Sequence, residues 1–324
     1  MSLSFPVAAV SALAAVLLLA GCASLVADRR EAGWVADTPP IGQFVEVEGR
    51  RVHLIEAGQP RGTAPDLVLI HGANGNLRDF TFDLVSRLED EYRIIALDRP
   101  GLGYTDGWGE ADSDPRLQAR VLREAALQLG LSRPVVLGHS YGGAVALGWA
   151  LQNPEDTAAL VLISAASIPW EGELGLWYRI NDTALGGPAR TLVAAFAPEW
   201  AVDRAFEGVF DPDAMPEGYN EYTGAGLPLR RASQENNNRQ VNRLRDYLAE
   251  MRPGYPALPM PIELVHGEAD TTVGLEIHSR RFAAEVPAAN LTVIPGAGHM
   301  PHHAHSDVVI EAIRRATRRA GGGS

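Results

Sequence analysis

At 324 residues and 46% hydrophobic content, the chain is long enough to bury one large core or two small ones. A net charge of −12 without a basic stripe argues against a nucleic-acid binder. Its single cysteine excludes an internal disulfide framework and any cysteine-based zinc site.

The first element is an uncharged apolar run from Val7 to Ala20, too short to span a bilayer comfortably and suited to a signal-peptide core. It ends in Leu19-Ala20-Gly21-Cys22, which resembles a bacterial lipobox. The resemblance implies that residues 1–21 are a lipoprotein signal peptide, that Cys22 carries lipid, and that residues 22–41 form a tether. Residues 1–6 lack the Lys or Arg of a usual signal peptide, so an uncleaved anchor or a plain signal peptide stays open. Ala23 stands where an Asp commonly retains such proteins at the inner membrane, which points to the outer membrane of a bacterial envelope.

Phe44–Val47 and Val52–Ile55, split by residues 48–51, read as a hairpin, and Leu67–Ile70 as a third strand buried on both faces. Leu77, Phe80, Leu84, Val85 and Leu88 have helical spacing, predicting a helix over 76–88. A fourth strand at 93–97 precedes a helix from Pro115 to Leu129, with Pro in its first turn and Gly130 at its end. Val135–Leu137 then runs into Gly138-His139-Ser140-Tyr141-Gly142-Gly143 and an alanine-rich helix to Gln152. Leu160–Ile163, Ile262–Val265 and Leu291–Ile294 are further strands, with helices at about 275–284 and 306–319. An opening hairpin followed by alternating strands and helices predicts an α/β fold, a mostly parallel eight-stranded sheet covered on both faces. The core covers residues 42–167 and 259–320. The break at 168–258 holds Trp170, Trp177, Trp200, Phe206 and Phe210 but no buried-strand run, and reads as a helical cap. Gly321–Ser324 resembles a flexible linker.

The chemistry gathers at Ser140. A strand, a sharp Gly-x-Ser-x-Gly turn and a helix are the setting of a nucleophile elbow, in which glycines relieve collisions and the serine takes a strained backbone. A serine hydroxyl needs a base, and the base needs an acid to fix its tautomer. His299, in Gly298-His299-Met300-Pro301 after the last strand, is the candidate base. Asp270, after the seventh strand, is the candidate acid; Glu268 is its neighbouring alternative, and Asp270 could instead cap the helix that follows. Both loops leave the carboxyl edge of the sheet, where Ser140 sits.

With these motifs the chain resembles an α/β-hydrolase-fold serine hydrolase from about residue 42 to 319. The resemblance implies an oxyanion hole from the backbone N–H groups of Ala73 and Tyr141 and no cofactor. Asp98–Thr105 also resembles a family segment, with Thr105 where Ser is usual, and is given a structural role. His71 reads as holding the oxyanion loop, and His139 as orienting the elbow. His302, His303 and His305 crowd after the base, but no carboxylate or Cys set accompanies them at ligand spacing, so no metal is expected. Trp170, Trp177, Phe206 and Phe210 are candidates for an apolar pocket, each also explicable as the cap's own core. The expected partner is a small to medium hydrophobic ester or lactone. C–C bond hydrolysis, cofactor-free haloperoxidase or perhydrolase chemistry, and a silent binding role remain alternatives.

Overall fold

The computed structural model describes residues 4–321; the first three residues of the expected signal peptide and the expected linker beyond Gly321 lie outside them. Eight strands form one sheet: β1 (Gln43–Val47), β2 (Arg50–Gly58), β3 (Asp66–Ile70), β4 (Arg93–Leu97), β5 (Val135–His139), β6 (Ala159–Ile163), β7 (Ile262–Gly267) and β8 (Ala289–Ile294). The order is β1-β2-β4-β3-β5-β6-β7-β8. The strand β2 pairs antiparallel with β1 and β4, and all other pairs are parallel. The hairpin turn is shorter than the sequence suggested: Glu48 and Gly49, both at positive φ, are its two central residues, and β2 begins at Arg50.

Successive residues of the central strands feed opposite faces of the sheet. Val68, Ile70, Val136, Leu160 and Leu162 pack into one core with helices α3 (Pro115–Gln128), α4 (Tyr141–Gln152) and α10 (Ser279–Glu285). Leu67, Leu69, Val135, Leu137, Val161 and Ile163 pack into the other, with residues 77–88 and α12 (Ser306–Gly321). The helix predicted over 76–88 is a single turn, α2 (Arg78–Thr81), followed by turns. Its apolar residues are nonetheless buried, and the Val85 N–H reaches back five residues to Phe80 O at 3.1 Å, which widens the chain beyond an α-helix.

Between β6 and β7 lies a cap of helices: α5 (Leu176–Asn181), α6 (Gly186–Phe196), α7 (Glu199–Phe210), α8 (Tyr219–Thr223) and the long α9 (Arg231–Met251). A short α11 (Pro301–Ala304) precedes α12. The stretch expected as a tether is different. Residues 4–37 form one helix, α1 (Ser4–Asp37), and its second half lies on the cap. Ala27 is buried there with Ala194 and Ala195, Ala23 is buried one turn earlier, and the Arg231 Nε–H donates to Glu31 at 2.8 Å. Among the described residues no helix is long and apolar enough to cross a membrane.

Candidate active site

The site begins with a strained turn. Ser140 stands between β5 and α4 at φ 53° and ψ −119°, a region that side chains rarely occupy. Two neighbours explain how it is held. A Cβ on Gly138 would collide with Gly142 O, across the turn, whereas one on Gly142 would collide with Ile70 O of β3. The second glycine therefore lets α4 press against the adjacent strand, and does not merely close the turn. Ser140 N–H donates to Ile163 O at 2.9 Å, tying the elbow to β6. The serine lines a cavity of about 470 Å³ at the carboxyl edge of the sheet, together with His299.

His299 follows β8 and Asp270 follows β7, and the structure brings them together: His299 Nδ1–H donates to Asp270 Oδ2 at 2.7 Å. That bond leaves the Nε2 of the neutral ring with its lone pair free. The other carboxylate oxygen of Asp270 accepts the N–H groups of Thr272 and Val273, each at 2.9 Å. Asp270 fixes its own loop with one oxygen and the histidine with the other; it caps no helix, since α10 begins only at Ser279. Glu268 is exposed, and among the described residues its carboxylate accepts only Gly296 N–H, at 3.3 Å. Burial works to raise the Asp270 carboxyl, but the bonds from His266 and His299 outweigh it and hold the group well below the usual carboxylate range. Nothing in the sequence pattern marks His266 as part of the site. Its Nε2–H is directed at Val273 O, 2.7 Å away, and at Asp270 Oδ2, 3.2 Å away.

The loop after β3 carries Ala73, which lines the cavity; its N–H has no acceptor among the described residues. Arg99 N–H donates to His71 Nε2 at 2.9 Å, so His71 must carry its proton on Nδ1, and it donates this to Gly72 O at 2.8 Å. Burial, with the Arg99 cation nearby, lowers His71 to about 4 and keeps it neutral. Asn74 N–H is held by Asn237 Oδ1 of α9 at 2.8 Å. Tyr141 opens α4, where a first-turn N–H has no partner within its own helix. Its ring lies under Arg99, 4.1 Å from the guanidinium carbon. Thr105 bridges Asp98 O (2.8 Å) and His53 N–H (2.9 Å), a structural contact.

His139 Nε2–H donates to His299 O at 3.0 Å, joining the elbow to the loop of the base. Asp213, in the cap, accepts Gly298 N–H at 2.7 Å from the other side. The cavity walls come from the cap: Trp177, Phe206 and Phe210 line it as expected, together with Val193, Val202 and Val209. Trp170 does not; it packs against the core and lies 6.2 Å from His278.

One expectation about the histidines is overturned. Asp79, from far earlier in the chain, supplies the carboxylate that spacing did not show, and among the described residues Asp79, His302 and His303 could hold a metal ion. His302 Nε2–H and His303 Nε2–H both donate to Asp79, at 3.1 and 2.8 Å, and Tyr219 O–H donates at 2.7 Å. Both Nδ1 atoms are buried without partners among the described residues. A metal on the two Nε2 atoms would move the protons to Nδ1, where no acceptor waits, although a metal-bound histidine ordinarily donates its other N–H to a neighbour. The direct hydrogen bonds fit better. Asp79 also puts a carboxylate in the cavity wall, but three donors already engage it.

The sequence profile of the alpha/beta hydrolase family matches residues 67–312. A pimeloyl-[acyl-carrier protein] methyl ester esterase of Aliivibrio salmonicida is 27% identical over 257 residues, covering 79% of this chain and 94% of its own. A 2-hydroxy-6-oxononadienedioate/2-hydroxy-6-oxononatrienedioate hydrolase of Klebsiella pneumoniae is 24% identical over 277 residues, covering 83% of this chain and 92% of its own. The crystal structure of an alpha/beta hydrolase fold protein from Burkholderia ambifaria superposes with a TM-score of 0.71 at 23% identity, over 85% of this chain and 98% of that one.

Proposed function

The chain belongs to the alpha/beta hydrolase family, and on that premise we propose that it is a serine hydrolase cleaving a carboxylic ester or lactone of a small to medium hydrophobic substrate. The observation that carries this reading is Ser140, strained at positive φ, sharing a cavity with a histidine that is hydrogen-bonded to Asp270. His299 Nε2 removes the hydroxyl proton as Ser140 Oγ attacks the carbonyl carbon. The oxyanion is received by the N–H groups of Ala73 and Tyr141, and charge that develops only in the transition state is what such donors stabilise. Collapse breaks the ester C–O bond, and His299 returns the proton to the departing alcohol. Water, deprotonated by His299, then hydrolyses the acyl-Ser140. No step calls for a cofactor. The apolar cap residues favour a hydrophobic acyl or alcohol group, since burying such surface yields about 25 cal/mol per Å².

C–C bond hydrolysis is the second reading, favoured by the Klebsiella relative's named activity. A chain-length series of chromogenic esters, with Ser140→Ala beside the wild type, separates the two. Ester hydrolysis peaking at one chain length and abolished by the substitution supports the first reading. A wild type that leaves every ester untouched removes it.

The proposal extends to the envelope. Signal removal before Cys22 and lipid on its sulfur and new amino group would anchor the protein, at the outer membrane. Intact-mass analysis of envelope-extracted protein should find the chain starting at a lipidated Cys22; an unmodified Cys22 contradicts this.

A further inference from the structure

The first 27 residues hold no Asp, Glu, Lys or Arg; Asp28 is the first charge. Helix α1 crosses that boundary unbroken. Its uncharged half leaves the protein at a defined place, because Ala27 is buried with Ala194 and Ala195 of α6 and Ala23, one turn earlier, is buried as well. Side chains this small let two helices approach closely. The charged half that follows is tied down: Arg30 donates to Ala197 O at 2.8 Å and Glu31 accepts from Arg231.

At 100° per residue, α6 presents three faces. Ala194 and Ala195 meet α1, while Val193 and Ala197 line the cavity. The third face carries Leu192 and Phe196, 54% and 58% exposed; past the break at Ala197 and Pro198, Trp200 stands 71% exposed in the first turn of α7. Leu25 and Val26 are exposed on α1 beside its buried alanines. Large apolar side chains left exposed on two packed helices, α1 and α6, and at the start of α7 mark a contact.

We propose that Leu25, Val26, Leu192, Phe196 and Trp200 form the surface on which the cap rests on a lipid bilayer, at the boundary of headgroups and hydrocarbon. Continuity identifies the occupant. The uncharged half of α1 either stays in lipid or is replaced by lipid on the exposed Cys22, and both place the bilayer within one turn of Ala23. The inference rests on the envelope anchoring proposed above. A tryptophan, apolar in body with one polar edge, suits such a boundary. Helices α6 and α7 then carry both the membrane face and part of the cavity wall, so the substrate class narrows to esters carried in the bilayer.

The test uses the full chain reconstituted into phosphatidylcholine vesicles whose brominated acyl chains quench tryptophan on contact. Part of the emission should be quenched in the wild type, and that part should vanish in Trp200→Phe. A Leu192→Asp/Phe196→Asp variant, altering only exposed positions, should keep its hydrolysis of a water-soluble ester and lose about tenfold on an ester dissolved in the vesicles. Equal quenching in wild type and Trp200→Phe, or an unchanged rate on the vesicle-borne ester, overturns the proposal. If the wild type hydrolyses no ester at all, the proposed reaction falls, while the quenching result still decides whether the surface meets lipid.

Discussion

Asp270 is the residue on which the site's geometry turns. It accepts from His299, from two backbone N–H groups of its own loop and from the nearby His266, and these bonds keep it ionised against the pull of burial. Asp270→Asn should lower kcat about 10⁴-fold, as in the serine-protease template, by favouring the wrong tautomer of the base. Circular dichroism and kcat measured together check this; a folded variant within tenfold of wild type contradicts it. Ser140, Asp270 and His299 were legible in sequence because each lies in a short motif at the carboxyl end of a strand. Asp79, Asp213 and His266 were not. The helical spacing of Leu77, Phe80 and Leu84 placed Asp79 off the apolar face, and its histidine partners lie more than 220 residues later. Asp213 meets Gly298 across 85 residues, a pairing no local pattern announces.

At the scale of elements, the elbow is a packing device as much as a chemical one. Gly142 lets α4 seat against β3, so Gly142→Ala should destabilise by about 2–3 kcal/mol through overpacking and displace Ser140. Gly208, on an open face of α7 with nothing within 4 Å of where a methyl group would sit, gives the contrast: Gly208→Ala should stabilise by about 0.5–1 kcal/mol. Urea midpoints of the two variants should move in opposite directions, and a shift of the same sign contradicts the packing account. Strands β3 to β7 were readable because each is an apolar run buried on both faces. Residues 22–37 were not readable as a docked helix, although Ala, Arg and Glu favour helix, because their partners Ala194 and Ala195 sit in the cap. The helix predicted over 76–88 stops after one turn at Thr81, where Phe82 and Asp83 follow, all three residues with weaker helix preference.

For the whole molecule, the buried histidines set an acid limit. Burial lowers both His71 and His278 to about 4, and His278 Nδ1 accepts the N–H groups of Ser167 and Ile168, which only a neutral ring permits. Their folded values lie below the unfolded value of about 6.5, so the unfolded chain binds protons first as pH falls. The stability they contribute is therefore full above about pH 6.5 and is lost as pH falls through about 4, on the order of 3 kcal/mol for each. Denaturant midpoints should fall between pH 7.5 and pH 5, and His278→Gln should shrink that difference. A flat profile contradicts the assignment. The number of strands and their mostly parallel direction followed from the sequence pattern, whereas the strand order and the valines of the cavity wall did not, the latter because they depend on how α5 to α8 fold over the sheet edge.

The central claim is an acyl enzyme on Ser140, and a covalent trap tests it most directly. Incubation with an alkyl fluorophosphonate, followed by intact mass and peptide mapping, should show one adduct per chain on Ser140 and none in Ser140→Ala. An adduct that persists in Ser140→Ala, or a wild type that stays unlabelled, would contradict the account.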